Sequence, residues 1–438
     1  YLTLDSSSII QGAQVEILSH DMNLEGDIEG TSSIVLSSAV DAWPPAWSVA
    51  AESSNMSTLS MSTQSSLTCS SCSALLSVNG TIDVSGDVSA ATLSMIAGDA
   101  ISVQPSSQLS LTGSTVVLES VQSSVEFEGD LTCSGSACLV VLKSERSSVD
   151  IEGSVTCSAS ACSVAVTSGV YLTLSGTVHC SGSGCALAFY VGRNMTMTSA
   201  GLVQATGYLA TIAVNASSLF EMDDTAELSA GYIRVQALGM VLGAGATLNT
   251  DAQGYAEQTG PGQSSSSISF GSGCSSWDYS ASAGGGAYGG DGGNSCQKYN
   301  CATQYPAGGD AYGSATWPTD YGSGGGKAIY DRSVRSNTGG RGGGRVHVTV
   351  SQTLSVEGTI TANGGSGTRY DGYHIYDPCG GGGSGGSILL EADTLEGSGT
   401  IRANGGTTVS NMGGGGGGGR ISTISSSPLG FIKASVDS

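Results

Sequence analysis

Twelve cysteines are the residues of this chain best placed to do chemistry. Six of them form three copies of one pattern. "LTCSGSACLVV" holds Cys133 and Cys138, "VTCSASACSVA" holds Cys157 and Cys162, and "VHCSGSGCALA" holds Cys180 and Cys185. Three chemistries compete for them. A reactive thiol needs one activated thiolate, not three copies. Zinc needs four converging ligands, but a short Cys-x2-Cys knuckle occurs once, at Cys69 and Cys72, and no histidine recurs with it. Disulfide staples need only small residues between the partners, which "SGSA", "SASA" and "SGSG" supply. An even, regularly spaced set of cysteines also suits an oxidising compartment.

The elements that position these cysteines follow from the residues aligned with them. Val125, Phe127, Leu131 and Cys133 form one row; Val149, Ile151, Val155 and Cys157 form the next; Leu172, Leu174, Val178 and Cys180 form the third. The rows are offset by 24 and then 23 residues, and the spacing inside a row puts all four residues on one strand face. The fold is therefore predicted to be all-β: a single-stranded parallel β-helix with rungs of about 20–24 residues, disulfide-stapled turns and Gly-rich loop insertions. Leucine-rich repeats lack their fixed Leu and Asn positions here, and a β-sandwich has no need of a constant period. Equivalent residues of neighbouring rungs stack about 4.8 Å apart, close enough for a disulfide between rungs. Three cysteines in one column cannot all pair, whereas pairing inside each loop uses all six. The expected pairs are Cys133–Cys138, Cys157–Cys162 and Cys180–Cys185, with Cys69–Cys72 as a tighter fourth. Cys274, Cys296, Cys301 and Cys379 are expected to pin the Gly-rich loops, with their pairing left open.

Three regions are expected: stapled rungs over 1–253, a Gly/Tyr-rich insertion over 254–344, and continuing rungs over 345–438 with Gly-rich loops at 366–386 and 407–419. "TLSVEGTITANGG" and "TLEGSGTIRANGG" repeat with an offset of 41 residues, one rung plus an inserted loop. The seven-glycine run at Gly413 to Gly419 reads as extended, polyproline-II-like backbone packed against a neighbour, because only glycine allows so close an approach. "GGGRVHVTV", "GTITANGG", "GGGGSGGSILLEADTL", "GTIRANGG" and "GGGGGGGRIS" together resemble the glycine-rich extracellular proteins of plants, oomycetes and related protists. The resemblance covers roughly the last hundred residues. It implies a large secreted or surface-attached protein and carries over no catalytic residue. Surface hairs of flagellate protists (mastigonemes) and glycocalyx fibrils are settings it suggests by analogy.

Charge narrows the partners. Lys and Arg number 14 against 36 Asp and Glu, a net charge of −22. Such a chain is repelled by phosphate backbones, so nucleic acid is not expected as a partner. No apolar run is long enough to span a bilayer. The opening "YLTLDSSSII" is already patterned as a strand, which reads as a processed product or part of a longer chain. Asn55, Asn79, Asn194 and Asn215 lie in N-glycosylation sequons. "SSNMSTLSMSTQSS" is a candidate O-glycosylated surface.

Aromatics supply the other candidate sites. Ten of the sixteen tyrosines lie from Tyr279 onward, joined by Trp277 and Trp317 and by Asp278, Asp291, Asp310, Asp320, Asp371 and Asp377. Trp277, Tyr279, Tyr312, Trp317 and Tyr321 are candidates for packing, a subunit contact or sugar binding. Trp43 and Trp47 in "DAWPPAW" sit in a stiff loop, since two prolines exclude a central strand. Against an enzyme, Asp223 and Asp224 are adjacent in sequence, which sends them to opposite faces of a regular strand. His20, His179, His347 and His374 stand in unrelated contexts. No catalytic residue, metal or cofactor is expected.

The preferred reading is a structural building block of an extracellular filament, surface hair or coat, located outside the cell or at its surface. About fourteen rungs would make a rod on the order of 70 Å long. The expected partners are further copies, or other domains of a longer chain, with covalent glycans on its sides. The alternative is a carbohydrate-binding or carbohydrate-active β-helix: an adhesin, polysaccharide lyase or hydrolase.

Overall fold

The structure, a computed structural model, describes residues 2–4, 9–18, 22–24, 26–37, 58–264, 282–295, 306–328, 339–368, 379–409, 412–426 and 433–437. All secondary structure among the described residues is β, and every named strand pairing is parallel. No helix of the described residues is long and apolar enough to cross a membrane. The chain forms two compact units: Tyr1–Gln204 with Val214–Phe220, and Ala205–Ala213 with Glu221–Ser438.

In the first unit the chain coils as a parallel β-helix. Each turn adds a short strand to one ladder, which runs in order through Leu59–Met61, Ile82–Val84, Ile101–Val103, Val125–Phe127, Val149–Ile151 and Tyr171–Leu174. The register is the repeat read from the sequence: Val125 faces Val149, which faces Leu172. Inward residues are buried and outward ones are Ser, Thr, Asp or Glu, with Tyr171 the exception, so each strand satisfies its pleat with one apolar face. A second wall holds longer strands such as Asp87–Ala97 and Gln108–Ser120. In the next two rungs this wall is split, as Asp130–Cys133 with Ala137–Ser144 and Ser154–Cys157 with Ala161–Ser168.

The split has a traceable cause. Between the register pairs Ala90–Leu111 and Thr92–Thr115, one rung has Ala91 alone and the next has residues 112–114. In the following rung Leu111 faces Cys133 and Thr115 faces Leu139, so residues 134–138 occupy the same corner. Over these three rungs the corner lengthens from one residue to three to five, and the five-residue version is the one closed by Cys133–Cys138. At another corner, Ser120, Ser144 and Ser168 stack in register and are buried. Ser144 Oγ donates to Ser123 O at 2.7 Å and Ser168 Oγ to Ser147 O at 3.0 Å, so these buried hydroxyls satisfy turn carbonyls of the preceding rung.

The second unit holds rungs of the same kind. Tyr232–Ala237 pairs with Arg345–Val350, which pairs with Ser387–Ala392 and then Arg420–Ser425. Thr247 faces Thr359, which faces Thr400. The 41-residue repeat is therefore a true rung register, marked also by Asn404 N–H donating to Asn363 Oδ1 at 2.8 Å. The Gly-rich segments leave the coil between these rungs.

Candidate functional site

Three stapled corners lie in the first unit. Cys133–Cys138, Cys157–Cys162 and Cys180–Cys185 are disulfide-bonded, with Cα atoms 6.3, 6.2 and 6.0 Å apart. The first cysteines of the three pairs face one another across the ladder, as do Cys138 and Cys162. All six are buried. A buried bridge has no access for a soluble thiol, so its chemistry is covalent restraint rather than exchange. Cys379 is buried in the second unit. The side chains of Cys69 and Cys72 lie outside the described ones, and so do Cys274, Cys296 and Cys301. Among the described residues, no group of three or more His, Cys, Asp or Glu side chains is placed to hold a metal.

The second unit contains a lattice of glycine segments. Along residues 380–386, successive N–H groups point in three directions in turn. Gly380, Gly383 and Gly386 donate to Thr368, Gly365 and Ala362. Gly381 and Ser384 donate to Gly326 and Ser323, and Gly382 and Gly385 donate to Gly414 and Gly417. All seven distances lie between 2.7 and 3.0 Å. A repeat of three with no bonds inside the segment is the signature of polyproline-II geometry. The same segment accepts from Gly340 and Gly343, from Gly286 and from Gly406, and Ala283 donates to Cys379 just before it. Three neighbours receive its hydrogen bonds and three others give theirs. The seven-glycine run follows the same rule: Gly414 and Gly417 donate to Ala283 and Gly286, while Gly416 and Gly419 donate to Gly406 and Ala403.

Glycine serves here for clearance. Among the described glycines of the second unit, only Gly207, Gly260, Gly313 and Gly397 have positive φ, and none lies in residues 380–386 or 413–419. Ordering one residue costs about 1–2 kcal/mol of backbone entropy, with glycine losing most. An N–H···O bond returns about 1 kcal/mol net and a Cα–H···O contact about 0.5–1 kcal/mol. The two contacts together are of the size of that entropic cost.

Beside the lattice lies a cluster of tyrosine and arginine. The Arg345 guanidinium stands 4.4 Å from the Tyr232 ring and 5.3 Å from the Tyr321 ring. Arg420 stands 5.4 Å from the Tyr288 ring and donates through Nη2 to Tyr312 O at 2.8 Å. Tyr288 and Tyr312 pack with ring centroids 5.0 Å apart. Tyr312 OH donates to Tyr321 O and accepts from Ser323 Oγ, whose neighbour in the lattice is Ser384. Burial pushes the phenols of Tyr312, Tyr288 and Tyr321 above their ordinary values. These tyrosines are packing groups with satisfied hydroxyls.

Trp317 differs from them. It sits in the stretch that follows Tyr312 and is 46% exposed. Its indole meets His347 edge-on, with ring centroids 6.3 Å apart. His347 Nε2 lies 2.7 Å from Glu391 Oε1, and Thr349 Oγ1 donates to the same oxygen at 3.2 Å. Asp223 and Asp224 follow the strand Leu219–Met222 at a turn. His179 is half-buried beside Cys180.

Among the sequons, Asn79 and Asn215 are exposed, while Asn194 is half-buried and its Oδ1 accepts from Leu219 N–H at 3.4 Å. Asn55, Trp43, Trp47, Trp277 and Tyr279 lie outside the described residues. Arg345, Arg420 and Glu391 escape a reading based on aromatics and cysteines. One signal marks the arginines: each directly follows a glycine run and opens a strand, as Ser387 does in the rung between them. No protein-family model, curated protein or solved structure matches the chain.

Proposed function

We propose that the chain is a structural building block of an extracellular filament, surface hair or coat. The reading is carried by the six-neighbour hydrogen-bond lattice around residues 380–386. A β-sheet is held by hydrogen bonds in one lateral direction, whereas this lattice is held in several. It presents backbone rather than side chains, which suits load-bearing better than recognition. The stapled corners of the first unit add covalent restraint at the turns, and disulfides accord with an oxidising, extracellular setting. The likeness of the glycine-rich strings to surface-fibre proteins supports the same setting. Its partner is then a further copy of the chain, with glycans at exposed Asn79 and Asn215 shielding the sides.

Electron microscopy and sedimentation of the purified protein across a concentration series test this. Filaments with a constant axial repeat are expected. Monomers that stay dispersed at high concentration would overturn the reading.

A further inference from the structure

We propose that Trp317 and the strands beneath it form a binding site for a neutral pyranose unit of a polysaccharide. Trp317 is its stacking face, and Glu391, His347 and Thr349 are its hydroxyl partners. This deepens the carbohydrate-binding alternative and stands whether or not the chain assembles into a fibre.

The support begins with how Trp317 is held. The residues around it form a strap, pinned to the strands at several points. Arg420 holds Tyr312 O, Ser387 Oγ donates to Asp320 O, and Ser422 Oγ donates to Thr316 O at 2.9 Å. Trp317 N–H donates to Ser314 Oγ at 3.1 Å. His347, Leu389 and Ser422 occupy one register column on three adjacent strands. The strap meets the column at His347 through Trp317 and at Ser422 through Thr316, and Leu389 between them is 1% exposed. Trp317 is thus fixed in place while its ring stays half open to solvent. A large aromatic face held open by four polar ties is a pre-organised surface, which lowers the entropic cost of binding.

The groups at its edge match a sugar. A pyranose offers C–H groups on one face and vicinal hydroxyls around its rim. Glu391 is an acceptor with two oxygens. Its Oε1 is engaged by His347 and Thr349, while Oε2 has no hydrogen bond among the described residues and the side chain is partly exposed. His347 and Thr349 fix the carboxylate on rigid parallel strands, as a first contact to hydroxyls requires. A protein partner would need a broad buried patch of about 1,200 Å² or more, yet apart from buried Pro318 the neighbours of Trp317 in the strap are Ser314, Ala315, Thr316 and Thr319, small and mostly exposed. The Glu391 carboxylate and the net charge of −22 disfavour an acidic sugar.

Titration calorimetry of the whole chain with cellohexaose, laminarihexaose, mannohexaose and trigalacturonate tests the site. At least one neutral probe is expected to bind with Kd under about 1 mM. Trp317→Ala and Glu391→Gln should each weaken that binding about tenfold or more. Trp317→Phe should retain most of it, and Tyr190→Ala, on an exposed face of the first unit, should leave it unchanged. If Trp317→Ala lowers the thermal midpoint, Trp317→Phe and Glu391→Gln decide. The proposal is overturned by any of four results: no neutral probe binds; only trigalacturonate binds; Trp317→Ala binds as the parent does; or Trp317→Ala alters sedimentation of a chain that binds no sugar.

Discussion

Gly382 and Gly406 approach so closely that a β-carbon on Gly382 would stand 1.9 Å from the Gly406 carbonyl oxygen. That oxygen faces the Cα hydrogen of Gly382, while the Gly382 N–H is directed elsewhere, at Gly414. Gly382 therefore meets different neighbours through its amide and through its Cα.

The approach is not uniform along the seven-glycine run, which gives a sharp test. A β-carbon at Gly414 would meet Gly293 O at 1.8 Å, and one at Gly416 would meet Gly383 O at 1.9 Å. At Gly415 the nearest atom is 4.0 Å away. Gly414→Ala and Gly416→Ala are each expected to destabilise the second unit by about 3 kcal/mol or more, beyond ordinary overpacking, because rigid backbone must move. Gly415→Ala should cost under about 1 kcal/mol and could stabilise by restricting the unfolded chain. Denaturant midpoints of the three variants check the order; equal effects would sink the lattice assignment.

Removing a staple should cost a modest, predictable amount. In the chain-entropy model a loop as short as Cys157–Cys162 contributes about 2 kcal/mol. Cys157→Ala with Cys162→Ala should lower the stability of the first unit by roughly that amount and leave the rung register intact. Chemical denaturation with circular dichroism in the native baseline measures both quantities.

Alkali should destabilise the second unit through its buried phenols. Tyr312, Tyr288 and Tyr321 have phenol pKa values raised by burial. The folded state then holds protons that the unfolded state releases above about pH 10, the ordinary tyrosine value. The sign follows: the contribution is fully present below that pH and is lost as pH rises through the folded values. Tyrosinate absorbance should appear late for these residues and together with unfolding.

Glycan occupancy should discriminate among the sequons. Produced through a eukaryotic secretory route, the chain is expected to carry glycan at Asn79 and Asn215, whose side chains are exposed. Asn194 is half-buried and its Oδ1 accepts from Leu219 N–H, so it should be sparsely occupied. Site-resolved peptide mass spectrometry reads this directly.

The coil was legible in the sequence where side chains mark it. Leu131, Val155 and Val178 are register partners because each is an apolar residue at the same place in a rung, and a one-residue slip would expose the whole set. The three stapled corners were legible for the same reason. The glycine lattice was legible only as polyproline-II-like packing. Glycine carries no side chain to mark register, so nothing in the run announces that Gly382 meets Gly414 while Gly383 meets Gly365. The Trp317 site was half legible. Its aromatic stands out in sequence, but Glu391 joins it only because Thr349 and Glu391 are register partners across a glycine-rich insertion.

Tyr232 and Arg345 are also register partners, although residues 233–344 lie between them. Relative to an ordinary rung, closing so long a loop adds a little over two doublings of length, about 1.4 kcal/mol. The thermodynamic burden of the insertion is small, but its effect on the time course of folding is large. Local strand pairing in the first unit can begin between rungs about 24 residues apart, whereas Arg345 must find Tyr232 from a much greater contour distance. Refolding should therefore be biphasic, with the tyrosine and tryptophan environment of the second unit maturing in the slower phase.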